Sequence, residues 1–278
     1  MNDKLAFPVG TVWRPLYLTG AIAALLAVFV FRRNLSAELL GLKQLGIQGF
    51  GLAAVPGAMP VHAADWLALF VRSPLVGLVL LNVFDLVEYA LVGLLFLALG
   101  AALWQTRRSA DIVAAVLGWA GIISYFASNQ AFAMLSLSQQ YAGATSQAQR
   151  SSLQAAGEAL LAINNPGALA QGTGIYICMA LVPLAGLILS IVMLQSRVFN
   201  RATAVTGILA NALILGYFPA LAGAPALLVL PFVLSAPLRV TWYFLAAVRL
   251  FKLAKAAKQE FQISSCSGYA PAQPKFEK

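Results

Sequence analysis

Asp85, Glu88 and Arg239 are ionisable side chains set inside stretches otherwise apolar enough to cross a bilayer. Desolvating a charge at that depth is costly, so it persists where it is paired or where it binds a proton, an ion or a solute. On the stretch carrying the two carboxylates, Asn82, Asp85 and Tyr89 recur at intervals of three and four, with Glu88 about 60° from Asp85 around a helix. These groups share one polar face. Ser124, Tyr125, Ser128 and Asn129 form a second face on the next stretch. Hydrocarbon solvates neither, so both are expected to turn into a bundle. The candidate intramembrane polar site is therefore Asp85, Glu88, Tyr89, Tyr125, Asn129 and Arg239.

Other chemistry finds no footing. Metal-dependent hydrolysis needs several His or carboxylate ligands converging on one ion, and a Ser-His nucleophile needs a base within a span. The chain has one histidine, His62, in a Gly- and Pro-containing connection near Asp65, where a solvated loop histidine is the simpler reading. A Walker-type phosphate loop and a G-x-G-x-x-G between strand and helix are both missing. No catalytic residue, metal or cofactor is assigned. Cys178, in an apolar stretch, and Cys266, in a polar tail, occupy environments too different to pair.

The elements that must position the site follow from composition. With 61% hydrophobic residues, 10% charged residues and a mean hydropathy of +0.83, the 278 residues lack the roughly 25% charge of a soluble globule. The fold class is an all-α polytopic transmembrane helical bundle with six spans, drawn at 15–31, 75–104, 111–137, 174–194, 203–221 and 226–248. A span needs ~20 residues, so the extra turns at the start of the second are expected to emerge from the hydrocarbon. One integral-membrane domain, 1–260, is expected, followed by a short disordered cytoplasmic tail at 261–278. Phe31-Arg32-Arg33 closes the first stretch without a small-residue cleavage pattern, which marks an uncleaved span.

Orientation comes from basic residues. Lys4 and Arg14, Arg107 and Arg108, Arg197 and Arg201, and Arg249, Lys252, Lys255 and Lys258 all fall on one side if the count is even. The positive-inside rule then puts both termini on the cytoplasmic side of an inner (plasma) membrane. Arg32-Arg33 runs against the rule, leaving an odd count open. Topology and anionic lipid account for the net charge of +9 better than nucleic acid does. Arg249, Lys252, Lys255 and Lys258 recur every three residues among apolar ones. They read as a basic extension of the sixth helix that contacts anionic lipids at the cytoplasmic face, at ~1 kcal/mol per near-surface cation.

Two longer connections, 32–74 and 138–173, are expected to form a helical periplasmic cap offering a surface to a small-molecule or protein partner. Gly41, Gly46, Gly49, Gly51, Pro56, Gly57 and Pro60 break the first, leaving a surface-hugging segment with a short amphipathic helix over 66–70, or a re-entrant loop. In the second, Leu153, Ala156, Leu160 and Ile163 recur at helical spacing, predicting a helix over 145–163 stopped by Asn164-Asn165-Pro166-Gly167.

Leu135-Ser136-Leu137-Ser138 with Tyr141, Ala155-Ala156-Gly157-Glu158-Ala159-Leu160-Leu161-Ala162 and Gly172-Thr173 carry a family likeness. It continues in Ser190-Ile191-Val192-Met193-Leu194-Gln195-Ser196-Arg197, Phe199, Gly207-Ile208-Leu209-Ala210-Asn211, Trp242-Tyr243 and Arg249-Leu250-Phe251. In these segments, about half the chain, it resembles the prokaryotic membrane proteins grouped as domain of unknown function 4386. The resemblance implies a multi-helix integral membrane protein and transfers no catalytic residue.

Counting ~1.5 Å per residue from Trp104 puts Asp85 about 28 Å and Glu88 about 24 Å above the inner interface, and Arg239 about 15 Å above Arg249. A long guanidinium reaches toward Glu88 from there. Two readings follow: a structural ion pair fixing helix register, or the wall of a polar cavity binding a proton or small solute. The first suits a non-enzymatic binding, sensory or accessory component. The alternative is a small secondary transporter or proton-linked permease using Glu88 and Arg239, for which no clear internal repeat is visible. Reporter fusions at Ser138 and Lys278 should signal opposite compartments, and matching signals would refute the even count.

Overall fold

The computed structural model describes residues 11–32, 57–168, 170–224, 227–228 and 230–266, and every regular element among them is helical. A 3-10 turn at Thr11–Trp13 leads into α1 (Arg14–Arg32), whose second residue, Pro15, suits a helix start because the N–H it lacks would have no partner there. The chain continues through α2 (Ala63–Arg72), α3 (Pro74–Leu80), α4 (Val83–Leu103), α5 (Arg108–Ser128), α6 (Ala131–Gly143), α7 (Gln147–Leu161), α8 (Thr173–Gln195), α9 (Arg201–Leu215), α10 (Tyr217–Gly223) and α11 (Leu230–Cys266).

Among the described residues, five segments are long and apolar enough to cross a membrane: Val83–Leu103, Arg108–Gly143, Thr173–Gln195, Arg201–Gly223 and Leu230–Gln259. At 1.5 Å per residue α4 alone is about 31 Å long, the thickness of a hydrocarbon core. The chain is a membrane protein. The first expected span, α1, is apolar over the shorter run Arg14–Val30.

These helices close into a ring. α1 packs on α4, α4 on α5, α5 on α8, α8 on α9, α9 on α11, and α11 back on α1. Tyr17, Phe96, Leu99, Leu189, Trp242 and Leu250 are among the side chains that fill its core. Close approach rests on small residues, since between helices in lipid packing must replace the hydrophobic drive. Gly20 abuts Ala98, and Gly207 lies against the Ser190 hydroxyl and the Trp242 indole, with no room for a side chain.

α2, α3, α6 and α7 form a separate layer around Trp66, Leu67, Phe70, Leu80, Met134 and Leu161. α7 is capped by Ser146, whose Oγ accepts from Gln149 N at 3.2 Å, while Gln149 Oε1 accepts from Thr145 N at 3.3 Å. Glu158 Oε1 accepts from Ala63 N at 2.8 Å, and Asn165 Nδ2 donates to Val61 O at 2.8 Å, tying α7 and its following turn to the start of α2. The layer adjoins the start of α4 and the end of α5. At the other, basic end, Trp13, Tyr17, Trp104, Val198, Arg249 and Leu253 line one small cavity.

Several expected boundaries are corrected. The span drawn at 75–104 is divided at Leu81-Asn82, where Asn82 adopts φ 61, so α3 is a separate helix and α4 begins at Val83. Within the apolar segment that covers 111–137 the helix breaks after Ser128, because extended Asn129 turns the chain before α6. The span at 203–221 divides at Gly216. The sixth span starts at Leu230 and its helix reaches Cys266, so residues 261–266 continue it instead of opening a disordered tail. The helix expected over 66–70 runs Ala63–Arg72, with Trp66 and Phe70 buried against the layer instead of lying on a surface. The helix expected over 145–163 spans Gln147–Leu161, and Gly157 and Leu161 are its buried positions. Residues 33–56 and 267–278 lie outside the described residues, so most of the Gly/Pro-rich connection and the rest of the tail do too.

Overpacking of this kind costs about 1–3 kcal/mol. Gly207→Leu is therefore expected to lower the thermal midpoint of the detergent-purified protein clearly, and Gly100→Ala, whose added methyl would meet no atom within 4 Å, to leave it unchanged.

Candidate polar site within the bundle

The site is built where broken helices meet. The left-handed Asn82 ends the α3 turn and exposes its carbonyl, which accepts from Asp85 N at 3.2 Å and from Asn129 Nδ2 at 3.1 Å. Asn129 Oδ1 accepts from Ala131 N at 3.1 Å, so this one amide joins the breaks before α4 and before α6. Asp85 thereby falls in the first turn of α4, where the positive end of the helix dipole favours a carboxylate.

Tyr125, buried near the end of α5, donates its hydroxyl to Asp85 Oδ2 at 2.7 Å. Its ring packs on Tyr89 at 4.6 Å between centroids, beside buried Cys178 and Ile175 of α8. Gly174 lets the start of α8 press against the Ser128 hydroxyl. Asp85, Tyr89, Tyr125 and Asn129 are thus one cluster, held between α4, α5 and α8. Asn82 contributes through its backbone and sits outside α4, so the expected three-membered face on one helix is reduced to Asp85 and Tyr89.

Glu88, one turn deeper, faces a different helix. Its Oε1 lies 3.9 Å from Arg239 Nη1 on α11, with 7% of the glutamate and 23% of the arginine side chain exposed. α4 and α11 are not neighbours in the ring, so the pair links helices whose backbones otherwise approach little. The six predicted residues therefore form two adjoining parts, hinged on α4 between Asp85 and Glu88. Chemically the arrangement is a set of mutually answered donors and acceptors with a cation and two carboxylates. Its groups suit holding register or exchanging a proton.

The basic residues divide as well. Lys252, Lys255 and Lys258 are exposed on α11, whereas Arg249 is half-buried and donates its Nε to the carbonyl of Val198. His62 is exposed, with Nδ1 3.8 Å from Glu158 Oε1.

Sequence reasoning passed over two carboxylates. Asp111, read only as the opening of a span, is 3% exposed, and neither of its oxygens has a hydrogen-bond partner among the described residues. The signal was available: Asp111, Ala114, Gly118, Gly121, Ile122 and Tyr125 recur on one buried face of α5. Glu158 was read only as part of a family pattern, and its bond to Ala63 N lies 95 residues away in sequence.

No family model, curated protein or solved structure matches this chain.

Tyr125→Phe keeps the ring beside Tyr89 and removes the donor to Asp85. A buried acceptor that loses a donor costs about 1–3 kcal/mol and Asp85 is only partly buried, so the variant should melt lower in detergent by an amount at the low end of that range while retaining its helical circular-dichroism signal.

Proposed function

We propose that the chain is a non-enzymatic six-span protein of a bacterial inner membrane, a binding, sensory or accessory component that presents a helical cap to the periplasm. The observation that carries this reading is that the intramembrane charges meet inside the protein: Glu88 with Arg239 at 3.9 Å, and Asp85 with Tyr125 at 2.7 Å. Charges satisfied this way fix register and are not poised to release a solute.

Topology is part of the proposal. Completion of the ring by α1 supports six spans, since α1 packs as fully on α4 and α11 as the other members pack on theirs. Arg14, Arg108, Arg197, Arg201 and Arg249 gather with Lys252, Lys255 and Lys258 at the end away from the layer, which supports a cytoplasmic placement of that end and of both termini. The layer of α2, α3, α6 and α7 is then the periplasmic cap and the surface for a small-molecule or protein partner. Lys252, Lys255 and Lys258 make diffuse contact with anionic lipid at the cytoplasmic face. Kinship with the domain of unknown function 4386 proteins belongs to the same proposal, on the residues that resemble theirs.

A double-mutant cycle tests the central claim. Glu88→Gln and Arg239→Leu should each destabilise by up to about 3 kcal/mol, the low end for a buried pair because Arg239 keeps 23% of its side chain exposed. Together they should recover most of the loss. If both single variants melt normally yet abolish proton-coupled solute uptake in vesicles, the pair is a transport site and the permease reading replaces this one.

A further inference from the structure

At the basic end a cavity of about 350 Å³ lies between the α8–α9 connection and α11. Three cations line it: Arg197 from the connection, and Arg249 and Lys252 from α11. None of its lining residues is acidic. Elsewhere among the described residues Asp65, Asp85, Glu88 and Glu158 belong to the layered half, Asp111 at the basic end is buried at 3% exposure, and Glu260 lies two helical turns beyond Lys252 on α11. No carboxylate stands among the lining residues, and an anion from outside would meet three cations converging on one concavity.

Two further features define what that anion is. The cavity floor is already satisfied: Asn200 Oδ1 accepts from Thr203 N at 2.8 Å and from Thr203 Oγ1 at 2.5 Å, and Arg249 Nε is engaged by the Val198 carbonyl. That leaves the remaining guanidinium N–H groups of Arg249, with exposed Arg197 and Lys252, to bind a ligand. The wall is apolar, with Leu245 and Val248, and the stripe Lys252, Val248, Phe244 continues along α11 at four-residue spacing, with Val248 and Phe244 37% and 52% exposed. A ligand that satisfies both is amphiphilic, with a phosphate in the cavity and an acyl chain along the stripe.

We propose that this cavity is a specific site for a phosphate-bearing anion, namely the headgroup of an anionic phospholipid from the adjoining leaflet. The site depends on Arg197, which lies outside the helical run of lysines. Lys252 takes part in both, so Arg197 and Arg249 are what set this site apart from the diffuse contact of Lys252, Lys255 and Lys258, and it stands whether Glu88 and Arg239 are structural or functional.

The test uses the full-length protein in neutral detergent, titrated with phosphatidylglycerol, phosphatidylcholine, glycerol phosphate or inorganic phosphate, with thermal shift and native mass spectrometry as readouts. Phosphatidylglycerol should stabilise and remain bound, and Arg197→Gln with Lys252→Gln should weaken it about 30-fold, from ~1 kcal/mol per cation. Lys255→Gln with Lys258→Gln should change it little. Because Arg197 and Lys252 are exposed, both pairs of variants are expected to fold, and the salt dependence of lipid binding to the unaltered protein is an independent check: affinity should fall as ionic strength rises. Equal stabilisation by the soluble phosphates would support the phosphate site and assign it a free anion. Equal stabilisation by phosphatidylcholine, no response to any phosphate compound, or a loss confined to the Lys255 and Lys258 variants would overturn the proposal, and the last would leave the diffuse contact standing.

Discussion

A hydrocarbon core offers no water to a carboxylate, and the rest of the bundle is arranged around how Glu88 answers that constraint. Its partner, Arg239, comes from the opposite part of the chain, so α4 and α11 must enter the interior at one depth before either charge is tolerable. Breaking the pair leaves an uncompensated charge, a larger penalty than the net worth of the pair itself. Register in this ring is thus enforced by the cost of misalignment more than by the strength of one 3.9 Å contact.

The same constraint explains where helices may break. An interrupted helix frees backbone groups that lipid cannot satisfy, so an interruption survives only where protein supplies the partners. At Asn82 and Asn129 the two breaks satisfy one another: the Asn129 amide donates to the Asn82 carbonyl and its oxygen accepts from Ala131 N. Both breaks lie under the layer of α2, α3, α6 and α7, where α3 and α6 depart from the ring. The polar cluster with Asp85 and Tyr125 sits directly beside them because that is where the ring stops being purely apolar.

Sequence reading recovered what depends on local composition. The apolar runs and the polar spacing of Asp85 with Tyr89 needed no knowledge of partners, and the Glu88 to Arg239 match followed from ~1.5 Å of rise per residue. What it missed depends on distant partners. Hydropathy averages over a single Asn, so 75–104 and 111–137 read as unbroken although Asn82 and Asn129 divide them. Trp66 and Phe70 looked like a membrane-surface stripe because the helices that bury them, α6 and α7, come more than sixty residues later in the chain. Arg249 looked equivalent to the lysines that follow it, yet its Nε is taken by a carbonyl 51 residues away. Asp111 was hidden by its position, since a carboxylate at the mouth of a span reads as a solvated end.

The two ends of the ring consequently differ in kind. At the layered end every charge singled out by spacing has a protein partner, and Glu158, in the layer itself, spends its oxygen on the start of α2. A ligand arriving there must compete with bonds already made, or act by moving the layer. Displacing α6 would strain the Asn129 bond to Asn82 and with it the start of α4, which carries Asp85 and, one turn on, Glu88. That is a short mechanical path from the layer to the paired charges, and it runs through hydrogen bonds of about 3 Å, each weak enough to exchange at ordinary binding energies. At the basic end the balance is reversed: Arg197, Arg249 and Lys252 line one cavity with no carboxylate among its lining residues. Under the proposed function, an anion held at one end and a bonded, displaceable layer at the other would suit a component that registers events on one side of a membrane.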